Sequence, residues 1–253
     1  MDLMRSAFLA GLVAALATGA ALGQDAARPP IGGIGSAPDA MIFHVAHGPE
    51  GACGPGCSNW IAAEGTVQFD THKRLIAILD RHAGRKLPLV IHSWGRSNLH
   101  VAASLGRVLH ERGIDTTEGV TEVGACAGLN AAECFALKRP GGPLDATLDL
   151  TDPRCDLACV LILAGGAHRS LPPGTRLVLS GLEIRNRVAP NVSDAHREGL
   201  TAFYSDRFRA YLRDMGIDGE LADIVDRDTD QHRSTEVPAS DWTRLHIVTS
   251  GSQ

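Results

Sequence analysis

Between Cys155 and Ser180 the chain reads CDLACVLILAGGAHRSLPPGTRLVLS. This run constrains the fold more than any other. Asp156–Ala164 is a short apolar helix, and Gly165-Gly166 stops it, because residues without a Cβ weaken helix and permit tight turns. Pro172-Pro173-Gly174 then turns the chain into an apolar strand at Arg176–Ser180. A helix passed through a turn to a strand is the unit from which α/β folds are assembled.

Similar units recur upstream. Met41–Ala46 reads as a first strand, followed by a Gly/Pro/Cys loop to Cys57 and a second apolar segment at Trp60–Gly65. Asp70 or Thr71 caps a helix with Leu75, Ile76 and Leu79 on its apolar face. Leu87–His92 is nearly continuous in apolar residues, as a strand covered on both faces should be. Ser97 or Asn98 starts a helix buried through Val101, Leu105, Val108 and Leu109 and ended by Gly113; a strand at Ile114–Thr117 follows. Ala125–Asp152 reads as loop-rich, broken at Pro140-Gly141-Gly142-Pro143. Ser193 or Asp194 caps a long helix with Leu200, Tyr204, Phe208 and Tyr211 on one face, and Gly216 stops it. A short helix at Glu220–Val225 and a terminal strand at Leu245–Thr249 complete the reading. Alternation of this kind predicts a mostly parallel sheet covered by helices.

The first 23 residues resemble a signal peptide: Arg5 in a polar start, a small apolar run Ala7–Leu22, and a small-x-small site ending at Gly23. Residues 24–39 read as a disordered leader rich in Ala, Pro and Gly. The expected mature protein is periplasmic or secreted, and no later run is long enough to span a membrane. Export gives the six cysteines the meaning of disulfides. Cys53 and Cys57 bracket a flexible Gly-Pro-Gly and can close a small ring. Cys155 and Cys159, read as four apart on one helix, are expected to pair with Cys126 or Cys134 instead of each other. A zinc site is disfavoured, since C-x-x-C and matching His spacings are missing. A net charge of −5 and 4% aromatic residues argue against nucleic-acid binding, which needs a basic face or a stacking platform.

Three blocks resemble the ClpP/crotonase-like superfamily, in particular exported members. They are Cys53–Gly65 (CGPGCSNWIAAEG), Leu87–Ser97 (LPLVIHSWGRS) and Cys155–Ser180. The resemblance implies a core of repeated ββα units over residues 40–190 and a C-terminal helical appendage with a final strand over residues 191–253. It also implies a serine-peptidase mechanism, in which a Ser at a helix start attacks a carbonyl while a His takes its proton and backbone N–H groups hold the oxyanion. The matched positions depart from that machinery: Leu157 stands for the nucleophile, Ser180 for the base, and Arg96 for the second glycine of an oxyanion turn. The expectation is a pseudoenzyme that needs no cofactor or metal and acts as a binding or interaction module. Its pocket would be lined by Ser93, Trp94, Gly95, Arg96, Ser97, Asp156, Leu157 and Ala158, with a peptide or acyl group as ligand. Superfamily members form rings or trimers through helical appendages, so a homo-oligomer is compatible with the resemblance.

One rival reading keeps catalysis. Ile91-His92-Ser93-Trp94-Gly95 resembles a G-x-S-x-G nucleophile elbow with the first glycine replaced. Ser93 would then be the nucleophile, with Asp194, His196, His232 and His246 as downstream partners. A thiol nucleophile at Cys155 or Cys159 is set aside in favour of a disulfide. His44, His47, His168 and His196 lack metal-ligand spacing and are expected on the surface. Asn191-Val192-Ser193 fits a glycosylation sequon, but Ser193 is read as a helix cap. Asp226-Arg-Asp228-Thr-Asp230 is read as a solvated turn, not an EF-hand loop.

Overall fold

The computed structural model describes residues 39–151, 153–181, 193–227 and 234–249. Residues 1–38, Asn191, Val192, Asp228, Asp230 and His232 lie outside that set, and with them the signal peptide, the leader to residue 38, most of the sequon and much of the acidic turn. The chain forms an α/β structure with a mixed sheet covered by helices. Strands β1 (Ile42–His47), β2 (Asn59–Gly65), β3 (Leu89–Ser93), β4 (Thr116–Glu118), β5 (Val120–Val123) and β6 (Leu144–Asp149) make the main sheet in the order β4-β3-β2-β1-β6-β5. The β1–β2 and β5–β6 pairs are antiparallel, and the β1–β6, β2–β3 and β3–β4 pairs are parallel. Only Gly119 separates β4 from β5, yet they stand at opposite ends of that order. The sheet is therefore rolled until its ends meet, and the indole of Trp60 on β2 donates to Thr121 Oγ1 on β5 at 2.9 Å.

Strand alternation gives this sheet two unlike faces. Met41, Phe43, Val45, Ile61, Ala63, Leu89 and Ile91 point into the main core. They pack beneath α1 (Thr71–Arg81), α2 (Leu99–Arg112) and α4 (Leu157–Leu163). Asn98 caps α2 by accepting from Val101 N, and Gly113 ends it at φ 62°. Helix α4 is buried at every residue, so it lies inside the molecule, not upon it. It crosses α2 at Gly106, where an added Cβ would sit 2.5 Å from Leu161 O. Tyr211 Oη donates to that same carbonyl at 2.5 Å, and its burial pushes the phenol's pKa upward.

A second sheet, β7 (Arg154–Asp156), β8 (Arg176–Ser180) and β9 (Ser234–Val237), adjoins this core. Helix α5 (Asp194–Asp214) is capped by Ser193, as expected, and α6 (Glu220–Arg227) and α7 (Ala239–Trp242) follow it. From Phe208 onward this C-terminal part shares the main core through Tyr211, Leu212, Leu221, Val225 and Trp242. The Arg169 guanidinium fastens it, donating to Ala164 O, Met215 O and His246 O.

Several expectations are corrected. Ala125–Asp152 holds a one-turn helix at Gly124–Cys126, α3 (Ala131–Lys138) and β6. The Pro-Gly-Gly-Pro run separates α3 from β6 without dissolving either. Leu245–Thr249 is not a strand; Leu245 and Ile247 are buried within turns, and the last strand among the described residues is β9. The face predicted for α5 is buried only at Phe208 and Tyr211, while Tyr204 is 41% exposed. Asp226 belongs to α6 and is paired with Ser205 and Arg209.

All six cysteines are paired: Cys53–Cys57, Cys126–Cys134 and Cys155–Cys159. The first ring agrees with the sequence reading; the expected cross-pairing of Cys155 and Cys159 with Cys126 or Cys134 is overturned. Cys155 lies on β7, and the chain turns at Asp156 before α4 begins. That corner brings the two Cα atoms to 5.1 Å, within the range a disulfide needs.

Candidate functional site

The positions singled out from sequence converge where β3 and β7 end. Ser93 is the last residue of β3, and its side chain falls on the core side of the sheet. Its hydroxyl donates to Asp156 Oδ1 at 3.1 Å. That oxygen also accepts from Cys159 N at 2.9 Å and so caps α4. Asp156 is thus held by a helix end and a hydroxyl, on a corner clamped by the Cys155–Cys159 disulfide. The carboxylate that Ser93 meets is thus already engaged by the start of α4. Among the described residues no histidine is hydrogen-bonded to Ser93. Asp194 and His196 are exposed on the first turn of α5, and His246 sits in the C-terminal turns at φ 55°.

The loop that follows is the accessible part. Trp94, Gly95 and Arg96 are exposed, Gly95 takes φ 69°, and Thr66 Oγ1 ties the loop down by donating to Trp94 O at 3.1 Å. Ser97 Oγ accepts from Val67 N at 3.0 Å. Gly95 therefore has the left-handed backbone that favours glycine. Leu157 and Ala158 do not line an opening as expected. They are buried in the main core, because α4 enters it side-on from its first residue. Ser180 is half-buried at the end of β8, opposite Ser234 on β9.

Sequence reasoning missed a second group of residues, on the other face of the same strands. His44 (β1), Glu64 (β2), His92 (β3) and Lys138 (α3) form a buried or half-buried polar cluster, which Glu118 (β4), opposite Ile91 in the strand register, joins through His92. Lys138 Nζ meets Glu64 Oε2 at 2.6 Å, with both side chains about one-tenth exposed. His44, expected on the surface, is fully buried, and neither ring nitrogen has a partner. Desolvation, aided by the nearby Lys138 charge, brings its pKa down to about 3, so the ring is neutral. Glu64 and His92 stand opposite each other in the β2–β3 register. His92 Nδ1 lies 3.9 Å from Glu118 Oε1. Burial raises the pKa of both carboxyls, against the pull of Lys138 on Glu64 and of His92 on each.

The cluster had a sequence signal of its own. A His within IFHVAH and a Glu within WIAAEG are charged or titratable residues inside otherwise apolar strands, and such residues are rarely buried without a reason. His47, exposed, shares a shallow groove with Glu122 and Asp145 over β1, β5 and β6. No group of three or more His, Cys, Asp or Glu among the described residues is arranged to hold a metal ion. No helix among them is long and apolar enough to cross a membrane. The three disulfides suit an oxidising, non-cytoplasmic compartment. Neither protein-family models nor curated protein sequences yield a match to this chain.

Proposed function

We propose that this chain is an exported ClpP/crotonase-like scaffold that lacks serine-peptidase chemistry and works as a binding or interaction module. The observation that carries this reading is the Ser93–Asp156 contact: the Ser93 hydroxyl donates to the carboxylate that caps α4. Leu157 at the matched nucleophile position and Ser180 at the matched base position support it. The exposed loop Trp94–Ser97 is the ligand-facing surface in this reading, and a peptide or acyl group is the ligand class, by analogy of fold.

The test is a broad serine-reactive fluorophosphonate applied to the protein, with modified peptides mapped by mass spectrometry. No labelling is expected. Labelling at Ser93 would overturn the proposal and establish a hydrolase. A Leu157→Ser/Ser180→His variant that still melts cooperatively and gains labelling would support the proposed ancestry.

A second reading, a structural subunit of an exported assembly, is favoured by α5. Its N-terminal half projects Phe203, 51% exposed, and Tyr204, 41% exposed, in an edge-on pair at 5.6 Å. Large apolar side chains grouped on a surface mark interaction sites. Analytical ultracentrifugation decides it: association abolished by Phe203→Glu supports this reading, and a monomer at all concentrations removes self-assembly from consideration.

A further inference from the structure

Two loops leave the main sheet at the same edge, the C-terminal ends of the parallel strands β2 and β3. Each holds a large apolar side chain out to solvent. Phe69, after β2, is 81% exposed, the most of any large apolar residue described, and Trp94, after β3, is 39% exposed. Neither sits on a slack segment. In the turn that carries Phe69, Gln68 N donates to Thr71 Oγ1 at 2.8 Å and Thr71 N donates to Gln68 O at 3.1 Å. His72 Nδ1 adds a third bond, to Phe69 O at 3.0 Å. The two loops are also bonded to each other: Thr66 Oγ1 donates to Trp94 O, Ser97 Oγ accepts from Val67 N, and Asn98 N donates to Val67 O at 2.8 Å. The phenyl and the indole therefore stand on one braced edge.

The charges around this edge are unbalanced. Lys73, on the first turn of α1, and Arg96, in the Trp94 loop, are exposed, and neither is ion-paired among the described residues. Of the carboxylates nearby, Asp70 is paired with Arg74 at 2.5 Å, and Asp39 accepts from Thr66 Oγ1 at 3.0 Å. Two unpaired cations stand against one carboxylate without a cation. The whole chain carries −5, so any attraction to an anionic surface has to be local, and this edge supplies it.

An aromatic ring that projects from a turn needs a partner that yields around it. A folded protein must offer a pocket already shaped for the ring. The headgroup–acyl boundary of a bilayer accepts such rings at any point, and Trp is favoured at that depth. Lysine and arginine beside the rings add attraction to anionic headgroups.

We propose that residues 66–70 and 94–97 form a docking edge for an anionic bilayer surface. Phe69 and Trp94 enter the headgroup–acyl boundary, and Lys73 and Arg96 meet the headgroup phosphates. The proposal rests on the reading of the Trp94 loop as the binding surface and gives that surface a lipid partner. Attraction between the cations and the headgroups is screened by salt, while burial of the rings is not, so the two contributions are separable.

The experiment sediments the purified protein with vesicles of mixed phosphatidylglycerol and phosphatidylcholine, with phosphatidylcholine vesicles as the control. Trp60 and Trp242 are buried, so a blue shift of tryptophan emission reports Trp94. Sedimentation with the mixed vesicles and a blue shift are expected. Phe69→Ser should weaken binding about tenfold or more. Lys73→Gln and Arg96→Gln should each weaken it about fivefold at low salt, and less as salt is raised. All these side chains are exposed, so each variant should melt as the wild type does. No sedimentation, equal binding to both kinds of vesicle, or binding that survives Phe69→Ser combined with Trp94→Ser would each overturn the proposal. Self-association that Phe69→Ser abolishes would also overturn it, by giving the edge to a second copy of the chain. Vesicle binding is read on Phe69 and Trp94 and peptidase chemistry on Ser93, so this proposal and the reading above fail separately.

Discussion

The two faces of the main sheet come from the same strands and solve burial by opposite means. On one, Met41, Phe43, Ile61, Leu89 and Ile91 meet helices α1, α2 and α4 through hydrocarbon alone. On the other, a smaller apolar group around Trp60, Ala62, Val90 and Val123 shares its space with His44, Glu64, His92 and Lys138. The first face draws its stability from area removed from water. The second includes charges that cost stability unless paired.

The sharpest way to break the contrast is Lys138→Met. It leaves Glu64 buried without its cation and should cost about 3–5 kcal/mol in chemical denaturation. Lys138→Met combined with Glu64→Leu should recover most of that loss, since two apolar residues can replace a buried pair. A double variant as unstable as the single one would mean the pair is not isolated from its neighbours. On the apolar face, Gly106→Ala tests packing. The new Cβ would sit 1.8 Å from Tyr211 Oη and 2.5 Å from Leu161 O, and a loss of about 1–3 kcal/mol is expected. Retention of wild-type stability would show that α2 and α4 can separate freely.

The third comparison uses pH. His44 titrates near 6.5 when unfolded and at about 3 when folded. The unfolded state thus binds more protons below pH 6.5, and stability is lost as pH falls through that window. The slope from this residue is about 1.4 kcal/mol per pH unit. Glu64 and Glu118 act in the opposite direction, because their raised pKa values make the folded state the better proton binder. Comparing wild type with His44→Gln isolates the histidine: the variant should gain about 2 kcal/mol relative to wild type between pH 6.5 and pH 5. A constant difference would show that His44 is accessible to protons in the folded state. The smallest effect is Tyr211→Phe, which removes the bond to Leu161 O and should lower stability by about 1–2 kcal/mol.

The contrast also explains what could be read beforehand. Leu99–Arg112 and Leu89–Ser93 were legible because apolar spacing and the Asn98 and Gly113 caps are local signals. Helix α3 carried a signal too, the capping box of Asn130 and Glu133, overshadowed by the Pro-Gly-Gly-Pro run nearby. The 155–159 disulfide was illegible because β7 is three residues long, too short for periodicity to separate it from α4. The polar cluster was harder still. Its five members come from five elements, and only strand register sets Glu64 beside His92.

The disulfides join each cysteine to the next one along the chain, across 4, 8 and 4 residues. Six thiols allow 15 pairings, yet this pattern is the one that order of emergence alone produces. A chain delivered N-terminus first into an oxidising compartment presents Cys53 and Cys57 before any competitor, then each later pair in turn. Correct bridging therefore needs neither the finished fold nor rounds of reshuffling, which take seconds to hours. Each bridge is thus a local event along the chain, separable from the closure of the rolled sheet.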